Sequence, residues 1–251
     1  MNDIGINVGY RILKYYLWQQ FFFRFQVKRE KEKLSYHKLS RALKEFEEEK
    51  PTLQQKHLFD CDFTIFDLET TGFFPEVGDE IISIGAVKVK EGKVQRGDTF
   101  YQVINPLQTV SRDTKRFTGL RRKDFLNGVT LPIGLERFIE FSKGTILVAH
   151  PASFDINFLQ KRIYKWQLPS FDPEYVDSFS LANGLLERDD CYLDALVKRF
   201  DIDYRTRHHA LNDAIMTAEI FEELLKICYQ QEVHTIRGLN EFILEETSSG
   251  F

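Results

Sequence analysis

Phe63-Thr64-Ile65-Phe66-Asp67-Leu68-Glu69-Thr70-Thr71-Gly72 reads as an apolar strand running into a Thr-Thr-Gly turn. Side chains alternate across a strand, so Asp67 and Glu69 share one face and lie close together. Two like charges at the end of an apolar strand repel each other unless a cation lies between them, and a divalent metal is the usual occupant. The competing reading is an ordinary strand end with two solvated acids. What surrounds the stretch decides between the two.

Outward from this stretch, α and β patterns alternate. The first strand covers Phe63 to Leu68 and a second Ile81 to Val89; after a Glu91-Gly92-Lys93 turn, a third ends near Ile104. That order is an antiparallel meander. Helical spacing follows from Pro132 to Phe141, then a short apolar strand from Thr145 to Ala149, then a helix through Phe158, Leu159, Ile163 and Trp166. Val176 closes a fifth strand, and helices are expected around 181–186, 193–200 and 211–228. The expected fold is α/β, a mixed sheet with helices on both faces.

Upstream, Ile12 to Phe25 is dense in Leu, Tyr, Trp and Phe, but Lys14, Gln19, Gln20 and Arg24 interrupt it. No apolar run reaches the ~20 residues that span a bilayer, and there is no signal-peptide pattern. The expectation is a cytoplasmic protein. Three readings remain for this segment: a helix packed on its own domain or on a second copy as a homodimer, an amphipathic helix on an anionic membrane surface, or a basic aromatic lead for nucleic acid. A helical stripe of Leu39, Ala42, Leu43 and Phe46 follows and ends before Pro51. The expected organisation is an N-terminal helical extension over 1–58, a catalytic domain over 59–230 and a tail over 231–251.

Residues 1–44 carry ten Lys/Arg against three acids while the whole chain has net charge −4, so the remainder is acidic by eleven charges. An acidic body is poorly suited to gripping long duplex through its phosphates. Cys61, Cys191 and Cys228 are too few and too scattered for a disulfide framework or a structural zinc site.

Two further constellations bear on chemistry. Val148-Ala149-His150-Pro151-Ala152-Ser153-Phe154-Asp155 puts Asp155 in the opening turn of a helix just after a strand, where the helix N-terminus favours a carboxylate. His208-His209-Ala210-Leu211-Asn212-Asp213 begins another helix. Five helical residues turn through about 140°, so His208 is expected on the preceding loop, leaning over the site, with His209 facing solvent or substrate. Taken singly, each is also readable as an ordinary helix-start charge or cap.

In order and context, these residues resemble the DEDDh branch of the DnaQ-like exonuclease superfamily, which includes the epsilon proofreading subunit, RNase T and oligoribonuclease. Phe66 to Gly72 looks like the first motif, Ile82 to Ala86 like the second strand, Phe154-Asp155 like the second motif, and His208 to Asp213 like the third with its His-x4-Asp spacing. The resemblance covers roughly residues 60–228. His150-Pro151 stands where His-Asn is usual, and Thr118-Gly119-Leu120 where epsilon-like members read His-Gly-Ile.

The resemblance implies an RNase H-like fold and a metal-dependent 3′-to-5′ exonuclease acting on single-stranded ends, DNA ahead of RNA. Four negative charges offset two Mg²⁺ or Mn²⁺. By resemblance, Asp67 bridges both ions, Glu69 and Asp213 complete one, and Asp155 holds the other. His208 takes the proton from the attacking water. Thr70 and Thr71 receive the terminal nucleotide, and Phe73 wedges the last two bases or else belongs to the core. An RNase T or oligoribonuclease-like RNA trimmer is the alternative within the class. A non-catalytic nucleic-acid or replisome adaptor is the alternative outside it, and its expected signature, a missing ligand, is not found. Gln55-Lys56-His57-Leu58-Phe59 has the outline of a sliding-clamp-binding peptide, but it abuts the first strand, where Leu58 and Phe59 are also readable as entering the core. About two dozen residues follow the last catalytic helix, which favours a stand-alone enzyme or one tethered through its N-terminus, with a polymerase as the other candidate partner beside the clamp.

Overall fold

In the computed structural model, which describes residues 9, 13, 15–49, 55–186 and 190–249, the Phe63–Thr70 stretch is the central strand β1. β2 (Ile81–Lys90) and β3 (Lys93–Val103) complete the meander, with Glu91 and Gly92 both at positive φ in the two-residue turn, as a tight hairpin requires. β4 (Ile146–Ala149) and β5 (Tyr175–Asp177) pair in parallel on the other side of β1, giving the order β3-β2-β1-β4-β5. The mixed sheet expected from the sequence is present.

Alternation along β1 splits the core in two. Phe63 and Ile65 face one side, with Val87, Val148, Phe221 and Leu225; Phe66 and Leu68 face the other, with Leu135, Phe138, Phe158 and Leu159. Asp67 and Glu69 continue the first side. That side is covered by α9 (Ala210–Gln230), which packs on β1 and β2, and by α7 (Ser178–Leu185), α8 (Leu193–Arg199) and α10 (Ile236–Ser249). The second side is covered by α5 (Leu131–Ser142) and α6 (Ala152–Lys165). Two short helices, α3 (Arg112–Thr118) and α4 (Arg122–Asn127), lie between β3 and α5.

One contact fixes how closely α9 approaches the sheet. Gly85 pairs with Asp67 across β1 and β2. A Cβ on Gly85 would lie 2.1 Å from the Leu211 nitrogen and 2.5 Å from the Ala210 carbonyl oxygen. Only a residue without a side chain lets the first turn of α9 sit there.

The N-terminal helices α1 (Gln20–Glu30) and α2 (Leu34–Glu48) differ in their burial. Leu39 and Leu43 of α2 are wholly buried in the same core cluster as Phe138 and Leu159, and α2 packs along α5. The Tyr36 hydroxyl lies 2.7 Å from the Gln167 carbonyl oxygen. From α1, only Val27 is buried, with Phe23 packed edge-on against Trp166. Leu43→Ala is therefore expected to destabilise the whole domain by about 2–5 kcal/mol in a single transition. Urea unfolding followed by tryptophan emission checks this, and a cost near zero would show that α2 is only an appendage.

Residues 231–251 hold α10, whose Ile236 and Leu239 are buried against the first core. This bears on the clamp-binding outline, which the structure overturns. Leu58 is wholly buried, its N–H donates to the His234 carbonyl at 2.8 Å, and His57 bridges Thr235. A peptide whose anchor leucine is committed to the core cannot be offered to a partner. Among the described residues, no helix is long and apolar enough to cross a membrane.

Candidate active site

The C-terminal end of β1, the N-terminus of α6 and the first turn of α9 open onto one cleft of about 1250 Å³. Asp67, Glu69, Thr70, Thr71, Phe73, His208 and Asp213 all line it. Asp155 is buried at its base, and its Oδ1 accepts the Leu68 N–H at 3.2 Å, so it sits directly beside the acidic stretch of β1.

Electrostatics make this cluster costly without a cation. Burial pushes Asp67 well above the usual carboxylate range, and Asp155, Glu69 and Asp213 push it further. Burial does the same to Asp155, partly offset by the Leu68 N–H. Glu69 is pushed up to about 7 by burial and then by Asp213. Asp213 is raised by burial despite the nearby Arg207. Glu69, His208 and Asp213 each offer a ligand atom, all within 4.8 Å of one another, and Asp213 Oδ1 is buried without a hydrogen-bond partner. An orphaned carboxylate oxygen inside a group of mutually repelling acids suits a hard divalent cation.

The turn before α9 is built around Asp213. Its Oδ2 accepts the His208 N–H at 3.0 Å and the Arg207 Nη1 at 2.7 Å. His208 sits at φ +60°, a sparsely populated conformation for a residue with a side chain, and its exposed ring meets Phe117 edge-on. It is thus on the loop over the cleft, as the spacing predicts. His209 is not in solvent. Its ring stacks on Tyr101 with centroids 4.5 Å apart, because the residue starting α9 is drawn against β3.

Phe73 is 75% exposed and meets Phe154 edge-on, so it is an exposed ring at the cleft mouth and not a core residue. Thr70 and Thr71 line the cleft, but their hydroxyls serve the loop: Thr70 donates to the Gly72 carbonyl, and Thr71 lies 3.2 Å from the Asp79 carboxylate and accepts the Glu80 N–H. The connection at His150-Pro151 is held by the half-buried imidazole of His150, whose pKa burial lowers below the usual histidine value. Its Nε2 donates to the Cys191 carbonyl at 2.8 Å and its Nδ1 lies 2.9 Å from the Ser178 hydroxyl, which itself donates to the Ala149 carbonyl.

Several neighbours were not singled out in the sequence. Arg207 bridges Asp194 and Asp213 and so brings a positive charge to the acidic cluster. Its position next to His208 was the available signal. Phe117 and Thr118 of α3 form one wall, and Asp177 caps α7 while accepting the Ser153 N–H.

The raised carboxylates have a sign that can be tested. A carboxyl whose folded pKa exceeds its unfolded value near 4 to 4.5 binds extra protons in the folded state, so its stabilising contribution is present at low pH and lost as pH rises through about 7 for Glu69. With chelator present, Glu69→Gln is expected to gain melting temperature over wild type as pH rises from 5 to 8, by roughly 4 °C or more at the upper end. Mn²⁺ should narrow that difference by stabilising wild type. A gap that stays constant with pH, or reverses, would show that Glu69 is not under this repulsion.

A mixed sheet that delivers three carboxylates and an imidazole to one open cleft, with a fourth carboxylate buried beside them, is the arrangement of a nuclease, a phosphodiester hydrolase. The chain belongs to the exonuclease family, whose model, described as Exonuclease (RNase_T), matches residues 64–221. Members of this family use divalent metals. The chain is 34% identical over 185 residues to a PolC-type DNA polymerase III of Caldanaerobacter subterraneus subsp. tengcongensis, covering 73% of this chain but 13% of that one. It is 34% identical over 169 residues to a DNA polymerase III subunit epsilon-like protein of Rhodobacter capsulatus, covering 65% and 23% respectively. The chain therefore spans only a fraction of the length of these relatives. Among solved structures, it resembles the nuclease domain of 3'hExo, a DEDDh family member bound to rAMP, with TM-score 0.61 and 22% identity over 67% of this chain and 94% of that one. It also resembles Exonuclease X in complex with 5′ overhanging duplex DNA, with TM-score 0.56 and 21% identity over 72% and 99%.

Proposed function

We propose that this chain is a metal-dependent 3′-to-5′ exonuclease that releases nucleoside monophosphates from single-stranded DNA ends. The observation that carries this reading is the convergence of Asp67, Glu69 and Asp213 on one cleft, with Asp155 buried beside Asp67 and His208 beside Asp213. In it, the four carboxylates hold two divalent cations, Mg²⁺ or Mn²⁺. When bound, these neutralise charge on the phosphorus oxygens and stabilise the leaving 3′ oxygen. His208 accepts a proton from the attacking water at a ring nitrogen. Phe73 and Phe154 present apolar ring surface to the terminal bases, and the Thr70-Thr71 loop forms the adjoining wall. The Arg207 contact to Asp213 supplies positive charge to the cluster before the cations enter.

DNA is preferred in this reading because relatives near 34% identity carry DNA polymerase III names, which also makes a replicative polymerase the favoured partner class. The test uses 5′-labelled single-stranded DNA and RNA of matched sequence, with Mg²⁺ or Mn²⁺ and with chelator. A ladder shortening from the 3′ end, faster on DNA and abolished by chelator, is expected. Faster trimming of RNA would select the RNase T-like alternative, and cuts in a circular single strand would reject an exonuclease altogether.

A further inference from the structure

Helix α1 buries little of itself. Phe23 and Val27 point toward the core, so the opposite face of α1 carries Phe21, Phe22 and Phe25, and Trp18, in the π-helical turn Tyr15–Gln19 just before α1, adds a fourth exposed ring. These are exposed, Trp18 by 67% and Phe21 by 71%, and form an apolar ridge of a kind that soluble monomers rarely leave bare. Lys28 and Arg29 extend the same face by one turn and are exposed as well. Between Asp3 and Glu30 the sequence contains five Lys/Arg and no acid.

We propose that this ridge docks the enzyme on an anionic lipid surface, with the four aromatic rings entering the headgroup boundary and Lys28 and Arg29 reaching back to the lipid phosphates. Charge selects this occupant over a second copy of the chain. A self-complementary interface here would desolvate Lys28 and Arg29 with no acid on the ridge to pair them. At a bilayer surface, long basic side chains keep their charge among phosphates while their stems cover apolar surface. Shape selects it over a single nucleic-acid strand. Strand binding uses a groove that tracks the backbone between stacking platforms, whereas these rings project from a convex helix directed away from the core. The helix, about 16 Å long, suits a surface-lying anchor and not a span.

The chain contains two tryptophans, and the other, Trp166, is buried, so a change of emission on binding reports Trp18. Full-length protein is mixed with vesicles of phosphatidylcholine containing about 30% phosphatidylglycerol, or of phosphatidylcholine alone, and both co-sedimentation and emission are recorded. A blue shift with anionic vesicles, quenched by brominated acyl chains and weakened by salt, is expected. Partitioning should fall by about tenfold or more in Phe21→Ser/Phe25→Ser and in Lys28→Glu/Arg29→Glu. Both variants should retain wild-type hydrolysis of single-stranded DNA without vesicles, which shows the fold intact and separates this test from that of the nuclease reading. The proposal is overturned if anionic vesicles leave Trp18 emission unchanged. It is equally overturned if the shift arises without lipid as the chain dimerises in sedimentation velocity, or arises only with oligo-dT.

Discussion

Asp67→Ala or Asp213→Ala is expected to lower single-turnover hydrolysis of a 5′-labelled single strand by at least about 10³-fold, roughly 4 kcal/mol of barrier. The reason is electrostatic. Asp67 lies among three other acids, Asp155, Glu69 and Asp213, and burial already resists its charge. Removing it relieves repulsion, so the metal-free protein should melt no lower than wild type. What disappears is the affinity for divalent ions, and with it the rise in melting temperature on adding Mn²⁺. Asp213→Ala should behave alike in activity but also lose some stability, because the His208 N–H and Arg207 both lose an acceptor while Arg207 keeps Asp194. Near-wild-type turnover with an unchanged metal requirement in either variant would sink the assignment of these carboxylates as metal ligands.

The second large effect concerns His208. A general base takes the proton of the attacking water at a free ring nitrogen, so its loss removes the acceptor itself. His208→Ala should lower turnover by about 10²- to 10⁴-fold. His208→Gln separates shape from proton transfer, since an amide holds the water without accepting its proton. His209→Ala should leave turnover nearly unchanged while losing the stack on Tyr101, at about 0.5–1.5 kcal/mol of stability. A collapse in His209→Ala beside an active His208→Ala would transfer the role to the neighbour.

Where period and chemistry agree, the fold is legible in the sequence. Residues 63–68 read as a mostly apolar run because one strand separates two cores, and the pleat sends alternate side chains to each, placing Asp67 and Glu69 on the face that α9 covers. The 3.6-residue stripes of α5, α6 and α9 are equally plain. Helices α3 and α4 are six or seven residues long, too short for a period to emerge. In α10, Ile236, Leu239, Phe242 and Ile243 do form a stripe, but Gly238 and the Glu-Ser run after it imitate a tail. Leu58 and Phe59 illustrate a deeper limit. A leucine and a phenylalanine side by side are equally suited to a partner's groove and to their own core, and only the position of His234, far along the chain, decides. Arg207 escapes for a related reason, because an arginine beside a histidine gains meaning only when Asp194 and Asp213 are brought to it.

Gly85 bears no reactive group, does not itself line the cleft, and would be passed over in any search for functional chemistry. Yet α9 rests on it backbone to backbone, so the gap between Asp213 and the two acids of β1 is set there and not by the reach of any ligand. The heritable record of activity is correspondingly wider than the motif. A lineage that kept all four acids and His208, but exchanged this one glycine for a bulkier residue, would still carry all five candidate site residues while the acids no longer met. Among distant copies of this domain, an intact motif is informative about catalysis only when read together with the residue opposite Asp67.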